Sequence, residues 1–207
     1  MKPFLKPIFT CALTVLAFNP ANGAVITVGD YLVSDNLQAG ASDASYSEPG
    51  AFGGDDTAQS NSWGGDRRWG NGGAATSASW LFEGVANGVY DVYASWKNDG
   101  QANVSTAHYT GTDGFANIDL DQRVGAAAFP GVVINDGSND INFASVGQVT
   151  VADGNFSLTV DDSVTGGADG NSFIFADAVA IAPAIPEPSS VLLVTLAGLG
   201  LVRRRRA

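Results

Sequence analysis

Gly88-Val89-Tyr90-Asp91-Val92-Tyr93-Ala94-Ser95-Trp96 alternates throughout: Tyr90, Val92, Ala94 and Trp96 fall on one side, Asp91, Tyr93 and Ser95 on the other. A period of two with one apolar face is the mark of a half-buried strand. The same pattern recurs upstream, where Ala78, Trp80 and Phe82 alternate with Ser77, Ser79 and Leu81. It recurs downstream, where Phe156, Leu158 and Val160 alternate with Ser157, Thr159 and Asp161. Turn signals separate these runs: Ala86-Asn87-Gly88, Asn98-Asp99-Gly100, Asp113-Gly114, Asn135-Asp136-Gly137, Asp153-Gly154 and Asp169-Gly170. No helical apolar period persists from Val25 to Ala184. Strands near 25–33, 77–83, 89–97, 104–110, 115–121, 140–151, 155–161 and 172–182 predict an all-β, antiparallel β-sandwich of jelly-roll type.

The charge is distributed unevenly. Between Val25 and Ala184 only Arg67, Arg68, Lys97 and Arg123 are basic against 20 acidic side chains, a balance of −16, whereas Lys2, Lys6 and Arg203 to Arg206 lie at the ends. An acidic surface of this kind repels nucleic acid and anionic lipid, so neither is an expected partner of the domain. The only cysteine is Cys11, inside the N-terminal apolar run. A domain without a thiol has no disulfide, thiolate metal site or cysteine nucleophile. Cys11 follows Ile8-Phe9-Thr10, which lacks the small residues of a lipid-acceptor site.

Both ends have the order of processing signals. Lys2 and Lys6 precede an apolar run from Ile8 to Phe18, Asn19-Pro20 breaks it, and Ala21-Asn22-Gly23-Ala24 follows. A charged, apolar, small-residue sequence reads as a secretory signal helix over 1–24, cut by signal peptidase after Gly23 or Ala24. The run is short for a retained membrane anchor. The folded domain is assigned to 25–183. The tail, 184–207, carries Pro186-Glu187-Pro188, Ser189-Ser190, an apolar run from Val191 to Val202, and the basic cluster Arg203, Arg204, Arg205 and Arg206. Positive flanks stay on the cytoplasmic side, and a twelve-residue run suits transient membrane insertion as a hydrophobic helix better than a permanent span. An ordinary tail anchor is the alternative. In motif, apolar helix and arginine cluster, in that order, the tail resembles a PEP-CTERM sorting signal. That resemblance implies an exosortase-type protease as partner, cleavage near Pro186-Glu187-Pro188, and delivery to the envelope, cell surface or extracellular matrix of a bacterium that makes exopolysaccharide.

Residues 35 to 76 interrupt the alternation with Gly, Ser, Asp and Asn, and a long irregular loop in a compact domain is usually functional or mobile. Trp63, Arg67, Arg68 and Trp69 stand in it. With Ser79-Trp80, the 88–96 strand, Asn103 to Tyr109, Asp121-Gln122-Arg123 and Ala176-Asp177-Ala178-Val179, the run 63–69 resembles a golvesin C-terminal-like domain over about 35–181. The resemblance implies a β-sandwich that accompanies extracellular polysaccharide lyases and other surface enzymes without being their catalytic part. Arg67 and Trp69 stand where that pattern usually has tyrosine or another aromatic, and Phe143 replaces an expected tryptophan.

The chemistry on offer is limited. His108 is the only histidine, which removes histidine metal clusters and paired-histidine mechanisms and leaves it as a polar strand residue. Glu48 with Glu83 is a formal glycosidase pair that nothing singles out. Asp55-Asp56, Asp161-Asp162 and the 135–140 turn offer hard oxygens for a structural calcium, although none follows an EF-hand pattern; solvated loop acids are the alternative, and no catalytic cofactor or metal site is expected. Asp177 shares a predicted strand face with Phe173, Phe175, Val179 and Ile181, which buries a charge and demands a partner. Arg68 is the first candidate for that structural pair and Arg67 the second. Trp63 and Trp69, flanking Arg67, are candidate glycan contacts: indole faces stack on sugar rings and a guanidinium bonds hydroxyls or uronates. Their alternative is to fold inward and pin the loop, whereas Trp80 and Trp96 sit at core-facing strand positions.

Three functions follow in order: a non-catalytic exported module in contact with exopolysaccharide, a purely structural surface protein without a glycan site, and a carbohydrate-active enzyme.

Overall fold

Alternating sequence becomes paired strand wherever one face has a sheet to pack against. The computed structural model describes residues 31–35, 45–48, 52–57, 62–71, 76–97, 106–162 and 173–184; the signal segment and the tail residues Pro186, Glu187, Pro188 and Arg203 to Arg206 lie outside them. Among the described residues no helix is long and apolar enough to cross a membrane.

The strands are β1 (Leu32–Asp35), β2 (Tyr46–Ser47), β3 (Phe52–Thr57), β4 (Asp66–Asn71), β5 (Ser77–Glu83), β6 (Gly88–Ala94), β7 (Ala107–Gly111), β8 (Ile118–Leu120), β9 (Gly131–Asn135), β10 (Asp140–Val151), β11 (Asn155–Asp161), β12 (Phe173–Ala176) and β13 (Ala178–Pro183). Among the described residues they form two five-stranded sheets, in the orders β1-β13-β6-β10-β9 and β2-β5-β11-β7-β8, and a three-stranded sheet, β12-β4-β3. The pairings among the described residues are antiparallel, so the expected antiparallel sandwich is what the chain forms.

The core lies between the two larger sheets. Val92, Ala94, Val179 and Ile181 meet Trp80, Phe82, Tyr109, Phe156 and Leu158, and all are buried. Trp80 and Trp96 take core positions, as their alternation predicts. β10 keeps apolar residues inward over twelve residues only because its parity changes: the register with β6 shifts between Ser145 and Gly147. Ala144 faces the core before that bulge, Val146 is the inserted residue and is itself buried, and Val149 and Val151 face the core after it. An inserted residue is what moves the apolar set from even to odd positions. On the opposite face of the same sheet, Ile141, Phe143, Ala178 and Ala180 form a smaller cluster with Tyr31, Val33, Trp63 and Tyr93 against it.

Two expectations are corrected here. Residues 35–76 are not one irregular loop, because β2, β3 and β4 all arise within them. The 172–182 strand divides at Asp177, where the chain leaves the three-stranded sheet as β12 and enters the first five-stranded sheet as β13. Residues 174–182 are buried at every position, so the alternation there carries no sign of the crossing.

Candidate functional site

β4 carries Arg67, Arg68 and Trp69, and Trp63 opens the 3-10 turn Trp63–Gly65 just before it. Its register with β12 pairs Trp69 with Phe175 and Arg68 with Ala176, and its register with β3 pairs Arg67 with Asp56 and Arg68 with Asp55. Neighbouring residues on a strand face opposite ways, so Arg67 and Trp69 share one face and Arg68 takes the other.

That parity overturns the expected Arg68–Asp177 pair. Arg68 turns to Glu48, donating from Nε to Oε1 at 2.6 Å and from its second terminal nitrogen to Oε2 at 2.8 Å. Both side chains are largely covered, at 14% and 18% exposure. Tyr46 donates its hydroxyl to the same Oε1 at 2.9 Å. Burial first, then the Glu48 charge, raises the Tyr46 pKa, so the phenol keeps its proton. Glu48 is thus held by an arginine and a tyrosine from β4 and β2, while Glu83 ends β5 exposed.

Asp177 is buried, as the sequence requires, but hydrogen-bond donors compensate it. The Trp63 backbone N–H donates to its two oxygens at 3.0 and 3.3 Å, and the Ser95 hydroxyl donates to Oδ2 at 2.7 Å. Ser95 is fixed in turn by the Ala178 N–H, which donates to its Oγ at 3.1 Å. Burial pushes the Asp177 carboxyl up to about 8 against the pull of these donors; the Asp66 charge adds to the rise and the Arg67 charge opposes it.

The three candidate glycan contacts do not form an exposed platform. Arg67 is only 5% exposed and lies over the Phe175 ring at 4.6 Å, turned into the protein. Trp69 packs edge-to-face on Phe173 at 4.8 Å, and Trp63 edge-to-face on Phe143 at 5.6 Å, each half-buried. Gly64 and Gly65 take positive φ, at 63° and 81°, after Trp63. Only glycine adopts such backbone freely, and the tight turn it permits accompanies an indole laid across the sheet. The inward-folding alternative describes Trp63 and Trp69 better.

Sequence reasoning gave Gln122 no role. It is fully buried, donates to the Tyr109 hydroxyl at 3.2 Å and the Phe175 carbonyl at 3.0 Å, and accepts the Phe175 N–H at 2.9 Å. Its signal was its place in Asp121-Gln122-Arg123, where Arg123 folds back on Asp121 at 2.7 Å. His108 faces Asp119 at 2.5 Å, a cross-strand pair between β7 and β8.

The calcium candidates are engaged locally where they are described. Asp136 accepts N–H groups from Ser138, Asn139 and Gly64, which hold its carboxyl below the usual range. Asp140 accepts from Asn135 Nδ2 at 2.7 Å. Asp161 ends β11 half-buried beside buried Asp162, and the side chains of Asp55 and Asp56 lie outside the described residues. Among the described residues no three His, Cys, Asp or Glu side chains are grouped to hold a metal ion.

One concave feature lies elsewhere. A cleft of about 260 Å³ is lined by Trp96, Lys97, Ala126, Ala127, Asp140 and Asn142.

Comparison with solved structures shows the fold. Residues of this chain superpose on part of a Paenibacillus xanthan lyase with a TM-score of 0.55 and 18% identity, covering 75% of this chain and 13% of the lyase, so the chain spans about an eighth of that protein. A Podospora anserina GH26-CBM35 β-(1,4)-mannanase aligns at 0.44 and 16% identity, over 70% of this chain and 28% of the mannanase. The CBM35 from Cellvibrio japonicus Abf62 aligns at 0.44 and 12%, over 75% and 94%. No curated protein sequence matches the chain. The PEP-CTERM protein-sorting motif matches residues 184–206, and it marks the chain as an exported protein that an exosortase handles at the cell envelope.

Proposed function

We propose that the chain is a non-catalytic surface module, released from its sorting tail by the exosortase and held in the exopolysaccharide outside the cell. The observation that carries this reading is the sorting motif at 184–206 behind an acidic antiparallel sandwich. The apolar run 191–202 holds the chain in the inner membrane only until cleavage, and signal peptidase removes 1–24. The sandwich itself is read as golvesin-like, an accessory rather than a catalytic unit.

Fractionation of producing cells tests the proposal. The processed protein should co-purify with exopolysaccharide, and disruption of the exosortase should leave the unprocessed chain in the membrane fraction. Recovery of processed protein free of polysaccharide would favour the second reading, a structural surface protein without a glycan site. The packing of half-buried Trp63 on Phe143 and Trp69 on Phe173 supports that second reading.

A further inference from the structure

The cleft beside Trp96 follows from the way β10 outruns the core. Upstream of the bulge the even positions face inward, and Ala144 belongs to the core. Asp140 and Asn142 continue that face at the start of the strand, exposed. The 3-10 turn Ala126–Ala128 stands over them, and Trp96, two residues past the end of β6, closes the floor. Pockets for drug-sized ligands run roughly 300–1,000 Å³. At about 260 Å³, this cleft is matched to something the size of one sugar ring.

We propose that this cleft binds a single neutral pyranose unit of a glycan. The inference rests on the glycan-associated reading above and gives it a site distinct from Trp63, Arg67 and Trp69. Trp96 is fixed before any ligand arrives: its Nε1 donates to the Val124 carbonyl at 2.8 Å, and Phe129 packs against the ring at 5.6 Å. At 3% exposure and with its only donor used, the indole closes the floor with an apolar edge and presents no open stacking face, so recognition falls to the rim. A floor that needs no ordering leaves more of the interaction energy to binding. The polar rim supplies both directions of hydrogen bond. Asn142 has an amide that donates and accepts, Lys97 has an ammonium that donates, and Asp140 has lone pairs beyond the one that Asn135 engages. Each sugar hydroxyl both donates and accepts, so adjacent hydroxyls fit a rim of mixed donors and acceptors. An anionic sugar fits less well, because Asp140 stands beside Lys97 and the domain around them carries −16.

Processed protein recovered from the cell surface is titrated with methyl glycosides of glucose, galactose and mannose, with sodium glucuronate, and with the producer's own exopolysaccharide. Binding is followed by saturation-transfer NMR and by retention on immobilised polysaccharide. Trp96 belongs to the core, so the variants are Lys97→Met, Asn142→Ala and the cleft-filling Ala127→Phe, each checked for an unchanged melting temperature. The expected result is millimolar binding of at least one neutral glycoside, ahead of glucuronate, and weakening of glycoside or polysaccharide binding by roughly tenfold or more in each variant. Preference for glucuronate overturns the ligand class. Equal polysaccharide binding by the parent and all three variants overturns the cleft and leaves the surface-module function standing. No binding of any probe by the parent overturns both.

Discussion

Asp177 is a carboxyl group in a fully buried position, and backbone and hydroxyl donors from two other segments bond to it. Raised to about 8, its pKa exceeds the ordinary aspartate value near 4. Between those values the folded state keeps a proton that the unfolded chain has released. The contribution of this group to stability is therefore complete below about pH 4 and is lost as pH rises through 8. Urea midpoints measured across that window should fall with pH in the wild type, relative to an Asp177→Asn variant that lacks the titration; parallel curves would contradict the burial argument. The Arg68–Glu48 pair gives a second residue-scale expectation. Truncating Arg68 to alanine leaves a mostly covered carboxylate without its bidentate partner, at a cost of about 1.5–3 kcal/mol. A double-mutant cycle should show coupling of Arg68→Ala to Glu48→Gln and additivity with Asp177→Asn. That Asp177 is buried was legible from its apolar neighbours. Its donors were not, because Trp63 and Ser95 lie 114 and 82 residues away in the chain; nor was the Arg68–Glu48 pair, since two adjacent arginines in a glycine-rich run carry no alternation to fix which side of β4 each faces.

Strands covered on one face only announce themselves. β5, β10 and β11 occupy the expected 77–83, 140–151 and 155–161, since each places one alternating set against the opposite sheet. β3 and β4 escape notice: Phe-Gly-Gly-Asp-Asp-Thr and Asp-Arg-Arg-Trp-Gly-Asn are poor in apolar residues, and pairing with β12 decides their structure. β9 is short and lies at a sheet edge, with Val133 60% exposed, so its one covered face is weakly marked. Its pairing nevertheless has a sharp requirement. A Cβ on Gly131 would stand 1.9 Å from the Phe143 carbonyl oxygen, a backbone atom that cannot move alone. Gly131→Ala should therefore displace β9 from β10 and lower stability by about 1–3 kcal/mol, in the range of overpacked sites. Hydrogen exchange at the β9 amides should accelerate while β5 and β11 stay protected; unchanged protection would show that the edge tolerates the methyl group.

Across the whole molecule the ends and the middle have opposite chemistry. Basic and apolar residues lie at the termini, and the acidic sandwich lies between them. The sandwich organises its polar residues around its own architecture: Asp177, Gln122 and the Glu48–Arg68 pair join strands across sheets. The sorting motif at 184–206 supplies the address. Export followed by exosortase cleavage requires that the tail and its arginines be absent from the protein that reaches the outside. Intact mass spectrometry of protein released from the cell surface tests this most directly. The account predicts a mass lacking both 1–24 and the residues beyond the Pro186-Glu187-Pro188 region, whereas a surface-released form that still carries Arg203 to Arg206 would contradict it.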